Sequence, residues 1–349
     1  MRLEAKPKPT LLVTFLYPAG AIVVTLLVAS VLVMIAGASP FMVFWLVIKG
    51  AAGSQFALFE TLTRATPLIF TGLAVAVAFR AKLWNIGAEA QLYIGAVMTV
   101  VLGTGAINAP SFVLVPIIIA AAMAAGALLL LGPAVLKTRF GVDEVVTTLL
   151  LNFIVILFVS MLLEGVLKDP MGLGWPKSQA LIADARLPRI IAGKRLHYGF
   201  VLALVSAAIT WFIMKKTTLG YEMRAVGHNP QAARFAGVRV NMVLAKTALL
   251  SGGLAALAGF SEVAGLKGNL TLDLSPGYGY TGIVVAMLAM LNPLAVVVSA
   301  IFVAGIFVGA DAMSRAAGVP SYIAQVMVAT ALLTMLVAIM LTRYRVKWR

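Results

Sequence analysis

Apolar residues in this chain come in long unbroken stretches, with no polar face alternating through them. Ten runs stand out, at about 11–36, 65–80, 86–106, 111–136, 145–164, 198–214, 242–264, 280–291, 293–310 and 321–342. A straight bilayer crossing takes roughly 20 residues of helix, so each run is expected to be a membrane helix or part of one. Several runs are shorter than that, and the pair 280–291 and 293–310 is divided by Asn292-Pro293. Short stretches interrupted by Gly or Pro are the sequence form of broken helices that line a cavity. The expected fold is an all-α polytopic membrane protein, a single transmembrane domain over residues 1–349 with about ten helices (8–10) and an inverted repeat relating its halves.

Lysine and arginine orient these runs. With a cytoplasmic amino terminus, the inner segments 1–10, 80–82, 137–139, 215–246 and 343–349 hold seventeen basic residues. The outer segments hold ten, six of them in the long loop 165–196, where the positive-inside rule is weak. Without that loop the comparison is seventeen to four, and both termini are expected to be cytoplasmic. The first run follows Arg2, Lys6 and Lys8 and ends near Ala36-Gly37-Ala38. It exceeds the 7–15 apolar residues of a signal-peptide core and is read as a retained span.

Composition narrows the function classes. The 349 residues are 62% hydrophobic and 11% charged, with a mean hydropathy of +1.04, which a soluble surface could not cover. A net charge of +15 would point to nucleic acid in a soluble protein. Here the charges sit at the ends of apolar runs, as topology determinants, so no nucleic-acid partner is expected and the bilayer takes that place. The absence of cysteine removes disulfides, thiolate metal sites and thiol nucleophiles together. No P-loop, His-Glu-x-x-His or Gly-x-Ser-x-Gly motif occurs, and His197 and His228 lie at a span edge and in a loop. Neither catalytic residues nor a metal site are expected, and the chain is expected to bind no ATP of its own.

Polar residues inside the apolar runs are the remaining signal. Asn85, Glu89 and Gln91 lie in one such stretch, and a carboxylate at membrane depth costs roughly 2.5–3.5 kcal/mol on the insertion scale. Asn85 and Glu89, four apart, are expected on one helix face with Gln91 pointing elsewhere. Two readings are open for the cluster: a helix end snorkelling toward Arg80 and Lys82, or a polar lining for an uncharged solute. Glu144, Thr148 and Asn152 recur every four residues as a polar stripe on a greasy helix, behind Asp143 as a cap. Ser275-Pro276-Gly277-Tyr278-Gly279-Tyr280-Thr281-Gly282 precedes another apolar run and suggests a second broken helix. The glycines Gly252, Gly253, Gly259, Gly305 and Gly309 are read as close helix packing.

Between the sixth and seventh runs, Asn229 is a good helix cap, Pro230 suits the first helical position and Gly237 a stop. This predicts a helix of about two turns, preceded by another ending at Gly227. Helices that short persist only by docking. The dock is either the chain's own bundle or a cytoplasmic partner.

The segments "LWNIGAEAQLYIGA", "GVDEVVTTLLLNFIV", "GYEMRAVGHNPQAARFAGV", "SPGYGYTGIVVAMLAMLNP" and "GVPSYIAQVMVATALL" resemble, in order, the permease subunits of bacterial ATP-binding-cassette (ABC) importers of the ribose/branched-chain amino acid permease superfamily. Within it the likeness is to the nucleoside and simple-sugar branch that works with basic-membrane-protein lipoprotein receptors. It covers about residues 60–342, with Ala90 where the family's "NIGAEGQ" core usually has glycine.

The resemblance implies an inner-membrane subunit partnered by a second permease, usually a distinct paralogue, by two cytoplasmic ATPases and by an extracytoplasmic binding protein. It implies no cofactor in this chain, ATP being used by the partner subunits. The solute path would lie at the helix breaks, with Asn85, Glu89 and Gln91 in the first and Gly277, Gly279 and Gly282 in the second; Thr148 and Asn152 of the polar stripe are expected to join it. A coupling helix would lie within 218–240, with Tyr221, Glu222, Arg224, Asn229, Ala233 and Arg234 facing the ATPase. The alternative class is a proton-coupled secondary transporter that uses Glu89 and needs no docking helix.

Overall fold

The computed structural model describes residues 2–5, 11–318, 322–323, 326, 329–330, 333–334, 337–338 and 344–347. Twelve α-helices are traced among them: α1 (Leu11–Ile35), α2 (Pro40–Ala52), α3 (Gln55–Arg80), α4 (Ala88–Gly103), α5 (Ser111–Phe140), α6 (Glu144–Glu164), α7 (Gly199–Lys216), α8 (Thr218–His228), α9 (Pro230–Phe235), α10 (Val240–Ser261), α11 (Tyr278–Leu288) and α12 (Pro293–Ala317). Six helices, α3, α5, α6, α7, α10 with its continuation, and α12, are long and apolar enough to cross a membrane. The α1–α2 pair brings this to seven if it counts as one span, while α4 and α11 are shorter apolar helices. The last expected run, 321–342, lies largely outside the described residues.

The chain forms two compact units, Met1–Thr61 with Phe302–Arg349, and Leu62–Ile301. In the first, α1 stops at Gly37, whose φ of +78° suits a residue without Cβ, and Pro40 restarts the helix at its first position. The two axes differ by 111°. Hydropathy did not separate α2, 13 residues between Pro40 and the Gly53 stop, as a run of its own. Val33, Val43, Val47 and Met313 form the core here. Gly309 meets the Val47 carbonyl so closely that a Cβ would overlap it, so the small-residue pair Gly305/Gly309 serves packing as expected. Arg2–Ala5 (β1) pairs antiparallel with Tyr344–Lys347 (β2), a short ribbon that hydropathy does not encode.

In the second unit α10 is the central post. Gly252 abuts the Gly126 backbone of α5, and Gly259 abuts the Leu92 carbonyl of α4, contacts that a side chain would block. The apolar groups thus buried supply packing that lipid cannot, since lipid tails match a helix surface in polarity but not in shape. Past Ser261 the helix widens into a π-helical segment, Glu262–Lys267, closed by Gly268 at φ +76°.

The 165–196 stretch is folded down onto this end. Ser178 exchanges hydrogen bonds with Leu270, N–H to carbonyl at 2.9 Å and Leu270 N–H to the Ser178 hydroxyl at 2.8 Å. His197, whose ring lies against Gly265 of the π-helical segment, is buried and accepts the Gly199 N–H at 3.1 Å on Nδ1. Burial pushes its pKa down to about 4, so the ring is neutral at neutral pH.

Candidate functional site

Two helices of the second unit begin in the interior of the fold, and each needs partners for the backbone groups its start leaves open. The first is α4. Helix α3 ends in a left-handed residue, Lys82 (φ +53°), with Leu83 N–H returning to the Ala78 carbonyl at 3.0 Å. Residues 83–86 then run outside any helix, and the polar stripe of α6 lies along them. Glu144 accepts the Trp84 N–H at 3.2 Å and also pairs with Lys137. Thr148 accepts the Ile86 N–H at 3.2 Å. Asn152 donates to the Ile86 carbonyl at 3.0 Å and accepts the Ala90 N–H at 2.9 Å. A spacing of four on α6 therefore matches successive backbone groups of the break.

The helix-face expectation for Asn85 is corrected here. Asn85 precedes α4, so the four-residue rule does not apply to it. Its amide instead closes a reciprocal pair with Gln91, both bonds 2.9 Å, and its nitrogen also reaches the Ser251 hydroxyl of α10 at 3.1 Å. Gln91 is thus Asn85's partner, and Glu89 is the residue that points elsewhere. All of Asn85, Gln91, Thr148 and Asn152 are buried, with their hydrogen-bonding capacity turned to the break.

The second interior start is α11. Ser275 accepts the N–H groups of Gly277 and Tyr278 at 3.1 and 2.9 Å, and Gly277 turns the chain at φ +92°. The Glu89 carboxylate of α4 accepts the next N–H, that of Gly279, at 2.6 Å. Glu89 also lies in the first turn of its own helix. Two positive helix ends therefore converge on one carboxylate, which offsets its burial.

The glycines permit this meeting. A Cβ on Gly279 would overlap the backbone of Ala88 and Glu89, and one on Gly282 would lie 2.6 Å from Oγ1 of Thr71 on α3. Tyr280, partly exposed, accepts a hydrogen bond from the Asn152 side-chain amide nitrogen at 3.0 Å on its hydroxyl and so ties the α11 start to the α4 break. Tyr280 and Ser251 were not singled out from the sequence. A lone tyrosine or serine among glycines and alanines has no periodic signature.

The α8–α9 hairpin follows the capping expectation. Asn229 Oδ1 accepts the N–H groups of Gln231 and Ala232 at 3.0 Å each, and Gly237 stops the helix at φ +84°. Helix α8 runs one residue further than expected, to His228. Tyr221 and Arg234 are exposed and Glu222 half-buried. Two expectations for this hairpin change. Ala233 faces inward and is buried, and Arg224 donates to the Met214 carbonyl at the end of α7. Phe235, 98% exposed, is the apolar side chain the hairpin presents.

The profile of a permease family described as "Branched-chain amino acid transport system / permease component" matches residues 57–341. The guanosine ABC transporter permease protein NupP of Bacillus subtilis is 36% identical over 328 residues, 91% of this chain and 92% of that protein. A glucose ABC transporter permease protein of Haloferax volcanii is 33% identical over 358 residues, 99% of this chain and 94% of that protein. A further guanosine permease protein of B. subtilis, NupQ, is 29% identical over 253 residues, 69% of this chain and 77% of that protein. The match spans both helix breaks and the α8–α9 hairpin, and it replaces the proton-coupled alternative. The chain belongs to the branched-chain amino acid transport system permease family, as a multi-pass permease subunit of an ABC transporter.

Proposed function

We propose that this subunit forms half of the path by which an ABC importer carries a nucleoside inward, with a simple sugar as the other solute its relatives' names allow. The observation that carries this reading is the junction of α4 and α11, where two helix starts meet at Glu89 and Gly279 inside an apolar fold. Interrupted helices at matching positions are where transporters of this construction hold solute. In this reading Asn85, Gln91, Thr148 and Asn152 frame the path by holding the first break, while Glu89, Gly277, Gly279 and Gly282 frame it from the second.

The solute arrives from an extracytoplasmic binding protein. The second half of the path is a paralogous permease, a reading supported by the two guanosine permease proteins of one bacterium. Two cytoplasmic ATPases supply the energy, and the α8–α9 hairpin docks on one of them through Phe235, Tyr221 and Arg234. Asn229 holds the hairpin's shape, and Arg224 fastens it to α7. The termini and this hairpin are cytoplasmic in an inner membrane, and the chain itself needs no cofactor.

The test is uptake by vesicles holding the full assembly. ATP-dependent uptake of labelled guanosine, suppressed by unlabelled nucleoside and untouched by glucose, is the expected result. Uptake of glucose alone would move the assignment to sugars, and uptake independent of ATP would overturn the importer. For orientation, Leu173→Cys should react with an impermeant thiol reagent in intact cells and Gln231→Cys should not; the reverse pattern would invert the topology.

A further inference from the structure

The ends of α3 and α7, helix α8 and the turn before α12 enclose a cleft of about 310 Å³. Arg80, Lys215 and Arg224 line it, with Trp211 and Asn292 between them and no acidic residue in the wall. Among the described residues no carboxylate lies within ion-pair distance of any of the three cations. Two of the three cations are held rather than free, while Arg80 is exposed. Arg224 is tied by one guanidinium nitrogen to the Met214 carbonyl, and Lys215 Nζ lies 5.5 Å from the centre of the Trp211 ring. The opposite wall is a turn with two non-glycine residues in the left-handed region, Met290 (φ +49°) and Leu291 (φ +58°). It ends where Pro293 opens α12, whose positive helix end adds to the field.

Charges that only orient a helix spread into water. Three like charges around one concave wall repel one another and call for an anion. The cleft also continues onto apolar surface. Leu204, Ala208, Trp211 and Lys215 recur at spacings of four, three and four on α7, so they share one face, and Leu204 and Ala208 are exposed below the aromatic ring. A ligand with a phosphate at one end and an acyl chain at the other fits both parts.

We propose that this cleft is a specific site for the phosphate headgroup of an anionic phospholipid. Arg80 and Lys215 supply the charge, Arg224 a fixed guanidinium edge, and the α7 face the groove for the chain. Basic pockets between membrane helices hold acidic headgroups by this combination, at about 1 kcal/mol or fivefold in affinity per basic residue.

The test uses the purified full-length chain, with retained lipid counted by native mass spectrometry after exposure to phosphatidylglycerol, phosphatidylcholine or inorganic phosphate. One phosphatidylglycerol should survive activation that strips phosphatidylcholine. Retention should fall about fivefold in Lys215→Gln and further in Arg80→Gln/Lys215→Gln, and persist in Lys215→Arg. The thermal transition of each variant is recorded alongside; if the double variant does not fold, the contrast between Lys215→Gln and Lys215→Arg decides. Equal retention of the two lipids, or undiminished retention in Lys215→Gln, would overturn the proposal. Binding of inorganic phosphate that displaces the lipid would assign the cleft to a free anion instead and overturn the lipid assignment.

Discussion

The starts of α4 and α11 solve one problem by opposite means. Each places a helix amino terminus inside an apolar fold, where an unpaired N–H or carbonyl is costly. At α4 the solution is side chains. Residues 83–86 are held by groups imported from α6 and α10: Glu144, Thr148, Asn152 and, through Asn85, Ser251. At α11 the solution is backbone. Glycines let the chain turn and approach until one hydroxyl, Ser275, and one carboxylate, Glu89, reach three successive N–H groups. The first design rests on polarity supplied from other helices, whereas the second uses few polar groups and rests on absence of bulk. Glu89 is where they join, since it starts one helix and caps the other.

Substitutions of size and of polarity should therefore damage the two breaks in opposite order. The largest effect is expected at Gly279. Gly279→Val drives a branched side chain into the Ala88–Glu89 backbone, and no rotamer relieves contact with main chain. Vesicle uptake should be lost altogether, and half of wild-type uptake would refute the close-approach account.

Next is Asn152→Leu, which keeps approximate size but leaves the Ile86 carbonyl and Ala90 N–H unpaired, at about 1–3 kcal/mol for each group. A clear drop in the thermal transition of the purified protein is expected, and an unchanged transition would show that the break is satisfied by other means.

Glu89 sharpens the comparison. Glu89→Gln retains an acceptor for Gly279 and should reduce uptake only in part, while Glu89→Leu removes it and should abolish uptake. Identical behaviour of the two variants would mean that charge, not the hydrogen bond, joins the helices. The smallest effect is expected for Ser275→Ala, about 1 kcal/mol, typical for loss of one capping hydroxyl. A loss as large as that of Asn152→Leu would erase the contrast between the breaks.

Much of this was legible in the residues, but unevenly. Hydropathy located α5, α6, α7 and α10 within a few residues, because each is apolar from end to end. It missed the first turns of α3, where Glu60, Thr61, Thr63 and Arg64 interrupt the apolar run while the helix continues. The cap at Asn229 and stop at Gly237 were readable because capping is local: donor and acceptor lie two or three residues apart. The wiring of the α4 break was not. Asn85 meets Gln91 only because the chain leaves the helix at Lys82, and Ser251 arrives from 166 residues away. The stripe Glu144/Thr148/Asn152 was visible as a stripe, but which backbone groups it serves depends on where α3 ends. Exposure at Phe235 and burial at Ala233 depend on the orientation of the hairpin, which no local pattern of six residues fixes.

The terminal ribbon constrains the topology by parity. Arg2 pairs with Lys347 and Ala5 with Tyr344, so the two strands share one compartment. A chain that leaves a compartment and returns to it must cross the bilayer an even number of times between residues 5 and 344. Ten crossings, or eight, satisfy this and nine do not. Each of the bent α1–α2 pair, α4 and α11 either spans or turns back, and the number of these that span must keep the total even. A re-entrant assignment for one of them thus obliges another element to change with it.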